Sequence, residues 1–203
     1  MELIKPFTSA SQAIDLLDNG GKFYNIFTSA DDDIISPSEV GKLAGVVFEK
    51  QKAVLYLQLA LSKLSSREQL EVEGRFDDTL SENYTKYQAE TLHSVRNLND
   101  NKISTNVIIR GTVRKIEEAG YVTGFIQIPV VDTFTLIPIS ETYTVYELME
   151  EGNGTGVLLA HEKSEMELPE GVLTVAGVVK EFQLEESEGS STQKFVEVSY
   201  FAE

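Results

Sequence analysis

The chain has no cysteine, no tryptophan and only two histidines, His93 and His161. Without thiols there can be no disulfide, no thiolate metal site and no cysteine nucleophile. Neither histidine has a second one at metal-ligand spacing, so both read as surface groups or as internally satisfied polar groups. No serine sits in G-x-S-x-G, and no triad can be drawn around either histidine. Long apolar runs are also missing. The longest, "AVLYLQLAL" (53 to 61), falls far short of the about 20 residues that span a bilayer. The opening "MELIKPFTSASQAIDLLDNGG" has no basic start followed by an apolar run, so no secretory leader is read and a cytoplasmic location is expected.

Basic residues are scarce. Lysine and arginine total 17 against 33 aspartates and glutamates, a net charge of −16. Residues 1–100 carry 10 basic and 16 acidic groups (−6), and the rest carry 7 and 17 (−10). A phosphate backbone needs a local excess of cations. No basic cluster is denser than "RGTVRK" (110 to 115), which makes nucleic acid a poor default partner.

The first half reads as helical. "SASQ" (9 to 12) has the capping-box form, and Gly20 and Gly21 stop the helix it starts. "SPSE" starts a longer one, with Ser36 as N-cap, Pro37 at the first helical position and Glu39 reaching back. Its apolar positions run to Leu64 in two adjacent stripes: Val54, Leu57 and Leu61 in one, Leu55 and Leu59 in the other. A stripe that wide predicts burial on more than one side. "SSRE" (65 to 68) caps a second long helix, predicted to run to about Leu98 and to complete a helical hairpin. A protein partner, or a second copy of this chain, is expected on the hairpin's exposed face. "GKLAG" (41 to 45) allows a close helix–helix approach within it. "NLNDNKIST" (97 to 105) is polar and turn-prone, placing a boundary between residues 1–100 and 103–203.

Beyond the boundary the period changes to that of strands. "NVIIRGTVRKIEE", "YVTGFIQIPV", "TFTLIPI", "GVLLAHE", "GVLTVAGVVKEF" and "KFVEVSYF" are β-branched and aromatic runs parted by turn residues. "TVYELMEEG" interrupts them as a predicted short helix, with Thr144 and Glu147 as its capping box and Gly152 at its end. "GNGTG" (152 to 156) follows a helix rather than preceding one, so it is a turn and not a phosphate loop. The predicted fold class is α+β, a helical domain followed by a mainly antiparallel sheet.

Two strands match each other. "VIIRGTVRKI" (107 to 116) and "LTVAGVVKEF" (173 to 182) both place glycine fifth, as bent strands of a small barrel do. With three strands, a short helix and two more strands, the region from 105 to 203 resembles an OB-fold barrel. "TGVLLAHE" (155 to 162) then stands as an additional strand. The resemblance implies an oligosaccharide or single-strand nucleic-acid ligand on strands two and three. Candidate stacking platforms are Tyr121, Phe125 and Phe134, with Arg110 and Arg114 nearby; the bland alternative buries these aromatics in the barrel.

One acidic stretch resembles an EF-hand. In "FYNIFTSADDDIISPSEV", Asp32 stands at the fifth loop position, Ile34 at the backbone-carbonyl position and Glu39 at the bidentate twelfth. Calcium is the cofactor such a loop implies. Thr28 and Ala30 stand where the motif needs aspartates, and Asp33 where it needs glycine. The expectation is therefore a helix cap on a degenerate loop, with no cofactor. For the whole chain, the expected function is a non-enzymatic interaction or scaffold protein. A ligand-binding barrel, a weak calcium binder and an enzyme using carboxylates alone are the alternatives.

Overall fold

The β-branched runs of the second half do form strands, and those strands close on themselves. The computed structural model describes residues 1–18, 40–92, 98, 102–130, 133–149, 156–162, 167–186 and 189–203. In chain order these give β1 (Glu2–Leu3), α1 (Ala10–Asp18), α2 (Val40–Leu61), α3 (Ser66–Glu73), α4 (Asp78–Lys86) and β2 (Glu90–Leu92). There follow β3 (Asn106–Val130), β4 (Thr133–Met149), β5 (Gly156–Glu162), β6 (Gly171–Glu186) and β7 (Gly189–Ala202). β3 pairs antiparallel with β4, β4 with β5, β6 with β7, and β6 back with β3. A short parallel contact, Leu159 with Val196 and Ala160 with Glu197, joins β5 to β7 and closes a ring of five strands. β1 adds to β7 and β2 to β3, both in parallel, so the sheet takes strands from both sides of the compositional boundary.

Alternation along the strands fills the ring. Val107, Ile109, Val113, Tyr146, Leu148, Leu159, Val175 and Val196 belong to one buried cluster inside it. Gly111 and Gly177, the two glycines the matched strands single out, sit on adjacent strands in symmetric register: Val107 opposes Gly177, and Gly111 opposes Leu173. Both lie where another backbone passes close. A Cβ on Gly111 would stand 2.6 Å from the Met149 carbonyl oxygen, and one on Gly177 would collide with the Glu197 carbonyl. The β6–β7 register shifts between Ala176 and Gly177, so the second glycine also marks a bulge.

Helix α2 is buried on two faces, as its double stripe requires. Val54, Leu57 and Leu61 pack with Ala13, Leu17, Val72 and Leu80 of the other helices. Leu55, Leu59 and Ala60 pack instead against Ala176, Val178 and Ala202 of the sheet, with Ile4 beside them. Polar ties pin the same seam. Asn106 Nδ2 donates to the Tyr87 carbonyl at 2.7 Å and to that of Gln51 at 3.3 Å, and Gln51 Nε2 donates to the Ser104 carbonyl at 2.9 Å.

Five sequence expectations need correction. The described part of the helix predicted from Ser65 to about Leu98, through Leu92, is two short helices and a strand, so the hairpin has only one long arm. Its start is as expected: Ser65 accepts from the Glu68 amide, and Glu68 accepts from the Ser65 amide at 2.9 Å. The chain then turns at Gly74, and Asp77 caps α4 by accepting from the Leu80 amide at 2.7 Å. The helix predicted at Thr144–Gly152 is strand through Met149, because pairing with both β3 and β5 overrides the local helical pattern. "YVTGFIQIPV" is not a separate strand but the far end of β3, and "TFTLIPI" is the near end of β4. "TGVLLAHE" is therefore no addition but the third strand of the ring. At α1 the capping residue shifts by one: Gln12 Oε1 accepts from the Thr8 amide at 3.0 Å rather than from Ser9.

Candidate interaction site

Where α2 does not cover it, the ring shows an outer face. The outward positions of β3 are Arg110, Thr112, Arg114 and Ile116, alternating with the buried Ile109 and Val113. Thr112 is in register with Met149 of β4 on one side and Val172 of β6 on the other. Met149 is 38% exposed and Val172 42%, so a short apolar band crosses three strands in open solvent. Arg110 and Arg114 flank the band, and each is engaged within the protein. Arg114 Nη2 lies 2.9 Å from Glu147 Oε2, and Arg110 Nη1 donates to Thr174 Oγ1 at 3.3 Å. At 68% and 28% side-chain exposure, the Arg114–Glu147 pair is worth roughly 0–1 kcal/mol to the fold. Its larger consequence is that the arginine's charge is matched where a phosphate would otherwise sit.

The aromatic candidates are elsewhere. β3 leaves its β6 partner after Val113, and β4 meets β5 only from Tyr143 onward. Between those points, among the described residues, β3 and β4 pair only with each other and continue as a two-stranded ribbon. Tyr121 is in register with Glu141, Phe125 with Pro138 and Phe134 with Pro129, all on that ribbon. At about 3.3 Å per residue, Tyr121 lies roughly 23 Å and Phe125 roughly 36 Å along the strand from Arg114. The backbone thus gathers the three aromatics on one arm and keeps both arginines at its root. From 116 to 162 the sequence contains no lysine or arginine and eight carboxylates.

The ribbon has a second property that only the register shows. Gly124 pairs with Ile139, Ile126 with Ile137, Ile128 with Thr135 and Val130 with Thr133. The alternate positions pair Phe125 with Pro138, Gln127 with Leu136 and Pro129 with Phe134. The paired stretches 124–130 and 133–139 are thus apolar-rich in sequence and hold no charged residue, while Glu117, Glu118 and Glu141 lie nearer the root. A two-stranded ribbon is at best marginally stable alone in water. The Glu-Glu-Ala-Gly stretch at 117–120 reads in sequence as a break between two strands, whereas β3 runs through it in unbroken company with β4.

Inside the ring lies a polar group that no motif announced. His161 of β5 is only 2% exposed, and its Nε2 is 3.2 Å from the hydroxyl oxygen of the fully buried Tyr146. The rings stack with centroids 5.5 Å apart. The same hydroxyl accepts from the Leu168 amide at 3.1 Å. Beside Leu168, Lys115 Nζ meets Glu167 Oε1 at 2.8 Å. This hydrogen bond, and then the ammonium's charge, hold the Glu167 carboxyl below the ordinary range. Among the described residues, no group of three or more histidine, cysteine, aspartate or glutamate side chains could hold a metal ion. Asp32, Ile34 and Glu39 of the EF-hand-like loop, and His93, lie outside the described residues. No described helix is long and apolar enough to cross a membrane.

No protein-family pattern matches the chain, and no curated protein does. One solved structure it resembles is the N-terminal domain of an archaeal MCM, at 12% identity, with 95% of each chain covered and a TM-score of 0.42. A score that low carries neither fold nor function across.

Proposed function

We propose that this protein is a non-catalytic interaction module in which an OB-like barrel, residues 103–203, is braced by the helical region 1–100 and presents the β3–β4 ribbon to a protein partner. Three features support the barrel reading. Five strands close in a ring, another backbone passes close to Gly111 of the first and Gly177 of the fourth, and long hairpins join the first strand to the second and the fourth to the fifth. The observation that carries the choice of partner is the ribbon itself. Its outer part, 124–130 paired with 133–139, is apolar-rich in sequence without a charged residue, and no cation occurs from 116 to 162. A surface of that kind suits protein contact, where apolar burial drives association. It does not suit a phosphate backbone, whose binding draws on released counterions.

The competing reading, a barrel for single-stranded nucleic acid, is supported only by the fold resemblance and by the aromatics. Titrating labelled single-stranded DNA and RNA at low salt and at about 150 mM separates the two. The interaction reading expects no saturable binding at either salt. Binding that weakens with salt, and weakens again in Arg110→Ala or Arg114→Ala, would replace it with the nucleic-acid reading. The outer band of Thr112, Met149 and Val172 lies at the ribbon's root and would extend the same protein contact.

A further inference from the structure

Two register shifts divide the β3–β4 ribbon, one between Lys115 and Glu117 and one between Val122 and Gly124. Between them the paired strands carry Glu117, Glu118 and Glu141. Beyond the second shift lie seven uncharged pairs, from Gly124 with Ile139 to Val130 with Thr133. Charge therefore ends where the backbone breaks register, and a bulge sets the outer segment apart from the root.

The edges of that outer segment are guarded. Pro138 is in register with Phe125 and Pro129 with Phe134, so one proline stands on each strand and both fall in the same alternating set. Along an antiparallel ladder, pairs alternate between exchanging both hydrogen bonds and exchanging none, and a proline has no N–H to exchange. This set is the one that makes no bonds across the ribbon, so its amides lie along the outer edges. Phe125 and Gln127 keep a donor on the β3 edge, and Phe134 and Leu136 keep one on the β4 edge, but Pro129 and Pro138 interrupt each row. Proline on an edge is one of the devices by which sheets refuse a further strand. Among the described residues, no third strand pairs with either edge of the segment.

Resting on the reading of the ribbon as a protein-binding arm, we propose that its outer segment is a plug, which the partner encloses in an uncharged apolar cleft with a basic rim. Size supports enclosure. Seven pairs at about 3.3 Å per residue are about 23 Å long, and two strands make a bar about 10 Å wide and about 10 Å thick. One face then offers about 230 Å², far short of the roughly 800 Å² per partner that a stable interface buries. All four sides together offer about 900 Å². Flat contact is too small, whether with another protein or with the same ribbon of a second copy, and the prolines oppose strand addition. Charge sets the rim. The walls of the cleft meet no charged residue, while its mouth meets Glu117, Glu118 and Glu141 on a stretch without a cation, so lysine or arginine belongs there.

The full chain, carrying a photo-crosslinking amino acid at Phe125 or at Ile126, tests this in extract of the source cells. Neighbouring strand positions belong to opposite faces, so the two probes sample both. Enclosure expects the same protein adduct from both, in yields within about threefold of each other. The yield should fall about fivefold between about 50 and about 300 mM salt, and Glu117→Gln, Glu118→Gln and Glu141→Gln together should abolish that fall. An adduct from one position only would overturn enclosure and leave the ribbon a one-sided protein contact. An adduct of twice the chain's mass would make the occupant a second copy, and a yield indifferent to salt would remove the basic rim. No adduct from either position, or adducts lost to nuclease, would overturn the protein-binding reading itself and the plug with it. A further measurement needs no partner. Pro129→Val with Pro138→Val restores both edge donors, and sedimentation should show self-association that grows with concentration beyond that of the wild type. A folded double variant that sediments as the wild type does at every concentration would refute the edge guard. The crosslinking decides even if that variant fails to fold.

Discussion

Replacing Gly111 with alanine adds one methyl group where the ring leaves no room. The new Cβ would stand 2.6 Å from the Met149 carbonyl oxygen and 2.5 Å from Leu148 Cδ2. A leucine rotamer can give way, but the carbonyl belongs to the paired β4 backbone and can move only if the β3–β4 ladder moves with it. Forcing a methyl group into packed structure costs about 1–3 kcal/mol, and an obstacle made of backbone argues for the upper part of that range. Against it stands the lower unfolded-state entropy of alanine, about 0.4–1 kcal/mol in favour of the variant. The net expectation is a loss of about 2 kcal/mol, or about 4–8 °C in melting temperature for a chain of this size. Urea denaturation is the assay: the midpoint should fall with the slope unchanged, since the surface exposed on unfolding is the same. The internal control is Gly74→Ala. Gly74 is right-handed helical, with φ −65° and ψ −9°, and its nearest contact to an added Cβ is 3.3 Å. There the entropic term should prevail, leaving stability equal or up to about 1 kcal/mol higher. If Gly111→Ala proves as harmless as Gly74→Ala, the close strand approach in the ring is refuted.

Other expectations follow from single contacts. Asp77→Ala removes the acceptor for the Leu80 amide and should cost about 1 kcal/mol in urea denaturation, whereas Asp77→Asn should cost far less. Tyr84 is pushed up to about 12, first by burial and then by Glu73. A phenol whose folded value lies above its unfolded 10 stabilises fully below pH 10, and that stability is lost as pH rises toward 12. Absorbance titration should accordingly find a late-ionising tyrosine that is missing in Tyr84→Phe, and the alkaline loss of stability should shrink in that variant. For the degenerate loop of Asp32, Ile34 and Glu39, millimolar calcium should leave the melting temperature unchanged. A rise in the wild type that Asp32→Ala abolishes would make the loop a working site.

What the sequence showed clearly were constraints that act through one residue or one helix. Glycine inside a strand reports a neighbour too close for a side chain, so Gly111 and Gly177 were informative before any pairing was known. The double stripe of α2 foretold two buried faces because helical period maps directly onto direction. The failures arose where pairing decides. Thr144–Gly152 satisfies a capping box, yet Tyr146 and Leu148 are buried two residues apart, the spacing of a strand held on both edges. The predicted helix through Leu98 hid a second start, since Asp77 is a good N-cap three residues after Gly74. The Arg110 and Arg114 candidates could be located but not judged, because Thr174 and Glu147 reach them only across the sheet. The Tyr146–His161 pair was beyond reach for the same reason: its members stand 15 residues apart on neighbouring strands.

Crosslinking decides whether the β3–β4 ribbon is a protein-binding arm. A photo-crosslinking amino acid placed at Phe125, compared with the same probe at the exposed Leu70 of α3, tests it directly in extract of the source cells. A protein-binding ribbon gives a discrete protein adduct at Phe125 that unlabelled full-length protein competes away, that nuclease leaves intact, and that the Leu70 probe does not give. An adduct removed by nuclease, or identical labelling from both positions, would contradict it.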